Sequence, residues 1–499
     1  MGDVNLPVHI AVRAAISPQL PALECSGLRW TWAELACEAR ARAQGLRALE
    51  VRDGELVAAL LPNGAELVAL VHAAQLCGAP LLLLHPRLTA RELAFQLCDA
   101  RPRLLLHGAG ELAARAEAAA AALPGPRRVS TPIGVDAEPA LALRTSTSLS
   151  DTAAVVYTSG TTGSPKGAEL SHGAFVWSAI GSAFHLGSVP GDRWLDCLPL
   201  QHVGGLAILV RAALSGAAVT VHDRFDPAAV GDALDRSGVT LVSLVANMFE
   251  RVLDARGERP APASLRCVLV GGGPCPPALL ARARALGFPV ATTYGLTEAA
   301  SQVATLPLER ARQPGASAAR PLFCTELRIV SPDGVALPAG AEGEIAVRGP
   351  TLMKGYLGQP EASARALRAG WLHTGDVGRI DASGDLVVLD RRSDVIVSGG
   401  ENVYPAEVEA ALREHPAVSD AAVAGEPDEA FGARVAAWVV LLPGRQPPGE
   451  RELVEFCRTR LAGFKLPRRI RIVAALPRSE TGKLARSELV GPHTPRQRV

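Results

Sequence analysis

Lysine is almost missing from this chain. Of its 51 basic residues only four are lysine, Lys166, Lys354, Lys465 and Lys483, and the other 47 are arginine. Long like-charge runs are missing too, and the net charge is +1, so no overall field gathers nucleic acid or an anionic membrane. The nine cysteines form no CxxC pair, which excludes a zinc ribbon and a disulfide framework. Cys37 in "ELACEA" and Cys267 in "LRCVLV" read as reduced, buried thiols of a cytoplasmic protein. The first twenty residues lack an apolar core behind basic residues, so no signal peptide is expected. Residues 67–86 are free of charge over about the length of a membrane span. His72 and Gln75 interrupt them, however, and Gly78-Ala-Pro80 splits them into a helix and a short strand. No integral membrane segment is expected.

What is present is an ordinary globular composition, 48% hydrophobic and 20% charged, spread over 499 residues. That length exceeds one core and implies at least two domains. Helical periodicity alternates with short β-rich runs through the first three hundred residues, the pattern of an α/β fold with a largely parallel sheet. Thr31 is positioned as an N-cap, and a helix is expected over 65–77. After about residue 320 hairpin signals take over, with "PDG" and "ASGD" as turns. From 394 a small α+β unit follows, with helices at 405–414 and 450–462. The expected fold is α/β: a large N-terminal domain of layered α/β subdomains plus a β-rich subdomain, and a small mobile α+β C-terminal domain. Its boundaries are 1–390, a hinge at 391–394, and 395–499.

"VVYTSGTTGSPKGAELSH" (155–172) runs from a strand through a polar glycine-rich loop to a helix capped by Ser171. Thr158, Ser159, Gly160, Thr161, Thr162, Gly163 and Lys166 supply backbone N–H groups, hydroxyls and one cation, the equipment for cradling phosphates. The loop is not a Walker A motif, because Pro165 precedes the lysine and Gly167 follows it. A P-loop ATPase or GTPase is thereby disfavoured.

T-S-G-T-T-G-S-P-K-G resembles the signature of the adenylate-forming superfamily of acyl-CoA synthetases, luciferases and adenylation domains. Four further motifs appear in that family's order: "TTYGLTEAA" (292–300), "GWLHTGDVGRID" (370–381), "DRRSDVIVSGGENVYPAEVE" (390–409) and "PRSETGKL" (477–484). The resemblance implies activation of a carboxylate by ATP to an acyl-adenylate, then capture of that adenylate by a thiol. ATP, Mg²⁺ and CoA are the implied cofactors, and a small carboxylic acid is the implied partner.

The resemblance also assigns roles. Glu298 corresponds to the magnesium carboxylate, a hard oxygen ligand. Thr297 would reach the α-phosphate, Tyr294 would lie against the adenine, and Gly272 in "VGGGPCP" would let backbone approach the adenine. Asp376 would accept both ribose hydroxyls, with Arg391 as a fork donor to the same ribose. His202 in "CLPLQHVGG" aligns with a histidine lining the acyl pocket. Lys483 would touch the substrate carboxylate and the α-phosphate together, a slot that admits a compact ammonium and not a planar guanidinium. Ser393 aligns with the pivot about which the small domain swings, carrying Lys483 away and bringing in Gly399 and Gly400 for the pantetheine arm. Lys465, near Arg468, Arg469 and Arg471, reads either as a contact to CoA phosphates or as a solvated strand edge.

Within the superfamily, "TYGLTEAASQVATL" and "RPLFCTELRI" are similar to the o-succinylbenzoate–CoA ligase branch of menaquinone synthesis. Small Ala299, Ala300 and Ser301 after Glu298 would leave room for an aromatic acid, and Arg87 is a candidate for its second carboxylate. Another aromatic or medium-chain acyl-CoA ligase, or a free-standing enzyme loading a carrier protein, stays open at this point.

Overall fold

The computed structural model describes residues 4–121, 127–130, 142–159, 165–273, 275–311, 313, 319–390, 395–442, 447–477 and 486–490. Lys483, Arg391, Ser393, Gly160, Thr161, Thr162 and Gly163 lie outside the described residues, and of Ser159 only the backbone is described.

Two large sheets form the body. The first has seven strands around the parallel set Val57–Leu60, Leu81–Leu83, Leu104–His107 and Thr152–Ser159. The second has nine, with Arg193–Asp196, Ala218–Val221, Leu241–Leu244, Cys267–Val270 and Val290–Leu296 parallel at its centre. Those central strands read as apolar runs because both faces are covered, as a parallel sheet requires. The charge-free stretch 67–86 resolves into helix Ala65–Cys77 and strand Leu81–Leu83, with Gly78 (φ +64°) in the left-handed conformation that ends the helix. Among the described residues no helix is long and apolar enough to cross a membrane.

The hairpin-rich region forms a five-stranded antiparallel sheet from Glu326–Val330 to Leu386–Asp390. Residues 396–472 supply every strand of a last five-stranded sheet, which packs on helices Pro405–Arg413 and Glu450–Arg458 around its own core of Val408, Leu412, Val423, Val439 and Leu453.

Local signals explain most of the elements. Thr31 does cap helix Trp32–Ala48, in a reciprocal box with Glu34. Ser171 caps helix His172–Leu186, its hydroxyl accepting from Ala174 N–H at 3.0 Å. One expectation needs correction: the glycine-rich loop does not lead straight into that helix. Pro165–Ser171 is a strand, paired antiparallel with Thr152–Ser159 so that Lys166 lies opposite Thr158. Cys37 is another correction, since its place on the outer face of a surface helix leaves it exposed, whereas Cys267 is buried in its strand.

Candidate active site

A cavity of about 620 Å³ opens beyond the carboxyl ends of the parallel strands, where open α/β sheets bind ligands. Strand Thr152–Ser159 delivers Thr158 to it, Cys267–Val270 delivers Gly271 and Gly272, and Val290–Leu296 delivers Thr297 and Glu298. Gly272 has φ +76°, a left-handed conformation that glycine adopts without strain. Lys166 lines the same wall, its ammonium 5.2 Å from the centre of the Tyr356 ring, and burial and then Arg365 lower its pKa.

Glu298 sits in a single turn of 3-10 helix, Thr297–Ala299. Its Oε1 accepts from Tyr356 OH at 2.9 Å and lies 3.5 Å from Thr158 Oγ1. Burial raises its pKa, and nearby Asp376 adds to the rise. A desolvated carboxylate held by two hydroxyls, within electrostatic reach of Lys166, has the donor chemistry a hard divalent cation requires. Ala300 (φ +50°) and Ser301 (φ +104°) then turn the chain through a region non-glycine residues rarely enter. Here too the sequence reading is corrected: Ala299 and Ala300 are fully buried and do not line the cavity, whereas Ser301 does.

Asp376 is buried and reaches the cavity from strand Trp371–Ile380. Tyr294 OH donates to its Oδ2 at 2.8 Å, and Tyr294 is itself 6% exposed and does not line the cavity, so the phenol braces the aspartate and does not lie against the adenine as the sequence reading had it. Glu344 fixes the preceding residues of the strand by accepting from Gly375 N–H at 2.9 Å and pairing with His373 Nδ1 at 3.0 Å.

The small C-terminal unit closes the opposite side. Val395, Gly400, Asn402 and Tyr404 line the same cavity as the residues above. Gly400 has φ +89°, and a Cβ there would meet Met248 Sδ at 3.2 Å. Neighbouring Gly399 has φ +60°, and its N–H donates to Phe431 O at 2.9 Å. Directly after them in the chain, Glu401 enters a cluster on the large domain. Its Oε1 accepts from Arg87 at 3.0 Å and lies 3.3 Å from His85 Nε2, while Oε2 lies 3.3 Å from His202 Nε2. Burial would push Glu401 up, but the hydrogen bonds and charges of His202 and His85 outweigh it and hold the carboxyl well below its usual range. The trio has the composition of a metal site. Its hydrogen bonding argues otherwise: Arg87 N–H donates to His85 Nδ1 at 3.1 Å, so the neutral ring carries its proton on Nε2, the atom a metal would need bare. Arg87, engaged with Glu401 and stacked 4.7 Å from the Phe464 ring, is not aimed into the cavity as the sequence reading allowed.

One cavity residue was missed altogether. Arg211, on helix Val203–Ser215, is 5% exposed yet lines the cavity. Its Nη2 donates to Ser301 Oγ at 3.2 Å, and among the described residues its Nε has no hydrogen-bond partner. Burial lowers its pKa to about 10, with Asp196 opposing, so it stays charged. His202 stands about two and a half turns earlier, as the N-cap of the same helix, and also lines the cavity. In a chain with 47 arginines nothing in the local sequence separates this one, except that it interrupts the apolar run "GGLAILVRAAL".

Residues 10–357 match the AMP-binding enzyme family, and 407–483 match the AMP-binding enzyme C-terminal domain. The 2-succinylbenzoate–CoA ligase of Geobacillus kaustophilus is 43% identical over 487 residues, covering 97% of each chain. Two solved structures of the o-succinylbenzoate CoA synthetase MenE from Bacillus subtilis are 38% identical. A double mutant of it bound to the product analogue OSB-NCoA superposes with a TM-score of 0.90, covering 97% of this chain and 98% of that one. Its complex with ATP and magnesium covers 97% and 100% but reaches only 0.75. With sequence identity the same, the difference lies in how the parts are arranged, and this chain has the arrangement of the product-analogue complex. By the full-length match the chain belongs to the AMP-binding, adenylate-forming enzyme family, as an ATP-dependent, AMP-forming ligase.

Proposed function

We propose that this chain joins o-succinylbenzoate to CoA through an acyl-adenylate, a step of menaquinone biosynthesis. The observation that carries the substrate is Arg211. A charged guanidinium buried in the wall of the acyl cavity, with an unpartnered N–H, calls for an anion, and the second carboxylate of o-succinylbenzoate supplies one. An acid without that group would leave the arginine desolvated and unpaired. The test is kcat/KM across o-succinylbenzoate, benzoate and octanoate with CoA as acceptor. A preference of about a hundredfold or more for the dicarboxylate is expected, and a flat profile would remove the substrate assignment.

In this reading Thr158, Lys166 and the loop 159–163 hold the triphosphate, and Thr297 donates to the α-phosphate. Glu298 holds Mg²⁺, which neutralises phosphate charge. Gly272 approaches the adenine, while Asp376, braced by Tyr294, and Arg391 take the ribose. Lys483 stabilises the charge that forms as the carboxylate meets the α-phosphorus. His202 and Arg211 border the acyl group. The adenylate's carbonyl is then attacked by the CoA thiol, which enters past Gly399 and Gly400, and AMP leaves. We assign the division at 391–394, with 395–499 as the moving part, because among the described residues the last sheet draws no strand from outside 396–472. ATP and CoA are cytoplasmic pools, and we assign the enzyme to the same compartment.

A further inference from the structure

Away from the cavity, one lysine is enclosed by acids. Lys465, in the short turn Gly463–Lys465, is 6% exposed. Its ammonium donates to Glu407 Oε1 at 2.7 Å and to Glu92 Oε1 at 2.6 Å. Glu407 belongs to helix Pro405–Arg413 of the small unit, whereas Glu92 belongs to helix Ala90–Ala100 of the large one. This overturns both sequence readings of Lys465, as a CoA contact and as a solvated edge.

The group is unforgiving because it is dry and its charges are uneven, two carboxylates to one ammonium. Burial pulls Lys465 toward the neutral form, and the two acids outweigh it, raising its pKa. Burial raises Glu407 as well, against the pull of Lys465, and among the described residues its Oε2 has no hydrogen-bond partner. Take the ammonium away and two carboxylates confront each other without water. The arrangement also fixes the position of Glu92. Its Oε2 accepts from Thr89 N–H and Oγ1, both at 2.8 Å, in the box that starts the helix, which leaves Oε1 for Lys465. The same helical turn makes two more contacts with the small unit: Arg91 pairs with Glu414 at 2.6 Å, and Thr89 Oγ1 lies 3.3 Å from Arg460 O.

We propose that the Glu92–Lys465 pair is a latch that selects the thioester-forming arrangement, making Lys465 a positioning residue for the second half-reaction. The proposal rests on the two-step reading above. Swinging the small unit to deliver Lys483 would carry Lys465 and Glu407 away together and leave Glu92 behind. The latch therefore exists in one arrangement only.

The test is Glu92→Gln, which keeps the helix start because glutamine serves equally at that position but removes the charge. In rapid mixing of supplied acyl-adenylate with CoA, thioester formation should fall by roughly tenfold or more. Pyrophosphate release in the first half-reaction should stay within about twofold. A donor–acceptor dye pair across the two units should lose its short-distance population. Lys465→Met should be worse than Glu92→Gln, and Glu92→Gln/Lys465→Met should be less damaging than Lys465→Met alone, because one buried acid is gone. Equal loss in both half-reactions with a lowered Tm would make the triad structural and overturn the proposal. So would an unchanged thioester rate with an unchanged distance distribution. If the unaltered protein forms no adenylate from any acid, the functional reading falls, and the dye distances still decide whether Glu92 and Lys465 hold the units together.

Discussion

The phenol of Tyr356 donates to the Glu298 carboxylate at 2.9 Å, joining the strand pair behind Lys166 to the turn that carries the proposed magnesium ligand. Tyr356→Phe removes that donor from a desolvated carboxylate and leaves the ring in place. The expected effect is about 1.5 kcal/mol, or roughly tenfold, in kcat/KM for ATP at limiting magnesium. Excess magnesium should recover most of it. Initial rates over a magnesium titration measure both, and a loss indifferent to magnesium would separate Tyr356 from the metal.

Arg211→Met should cost o-succinylbenzoate about 10² in kcat/KM while changing benzoate little, so that the two acids converge. Arg211→Lys keeps the charge and loses the fork, and should fall between. Uniform loss for all acids would mean that the arginine supports only the fold, through Ser301.

Lys483→Ala and Lys483→Arg should each slow adenylate formation by about 10² or more, since a preorganised charge contact is lost or misshapen. Thioester formation from supplied adenylate should persist in both. Radiolabelled pyrophosphate exchange and single-turnover CoA capture report the two halves separately, and matching losses would sink the role.

Acid should destabilise the protein before it titrates the carboxylates. Burial lowers His72 and His172 from 6.5 to about 4, with His9 adding to both shifts and itself lowered to about 4 by burial. The unfolded chain takes up protons near pH 6.5 and the folded chain only near 4. Stability is therefore fully present above 6.5 and is lost as pH falls through that window. At pH 5 His72 alone should cost roughly 2 kcal/mol. Urea midpoints from pH 7.5 to 4.5 should fall accordingly, and His72→Gln should flatten the curve.

Some of this molecule was legible from residues alone, and the reasons differ from place to place. Helix Ala65–Cys77 was readable to the residue because Gly64 and Gly78 bracket it. Thr158, Glu298 and Asp376 stand in motifs whose residue types have few other uses at that spacing, and the fold gathers them around one cavity. The strand Pro165–Ser171 was not readable, since "PKGAELS" is polar and its pairing with Thr152–Ser159 is a tertiary fact. Arg211, Lys465 and Glu401 escaped for a shared reason. Each takes its meaning from a partner far along the chain: Ser301, 90 residues away; Glu92, 373 away; His202, 199 away. Local composition cannot announce such pairings. The two alanines after Glu298 misled because the chain turns through a left-handed conformation at Ala300 with both of them in the core, and only Ser301 reaches the cavity.

The scarcity of lysine has a practical consequence. An amine-directed acylating reagent meets very few targets on this protein, and one of them, Lys465, is buried where the two units meet. Arginine does not react. The modification rate at that single amine, normalised to exposed Lys354 and followed by peptide mass, would therefore count how often the units part, with no dye and no substitution introduced. The chain carries its own chemical clock for domain motion.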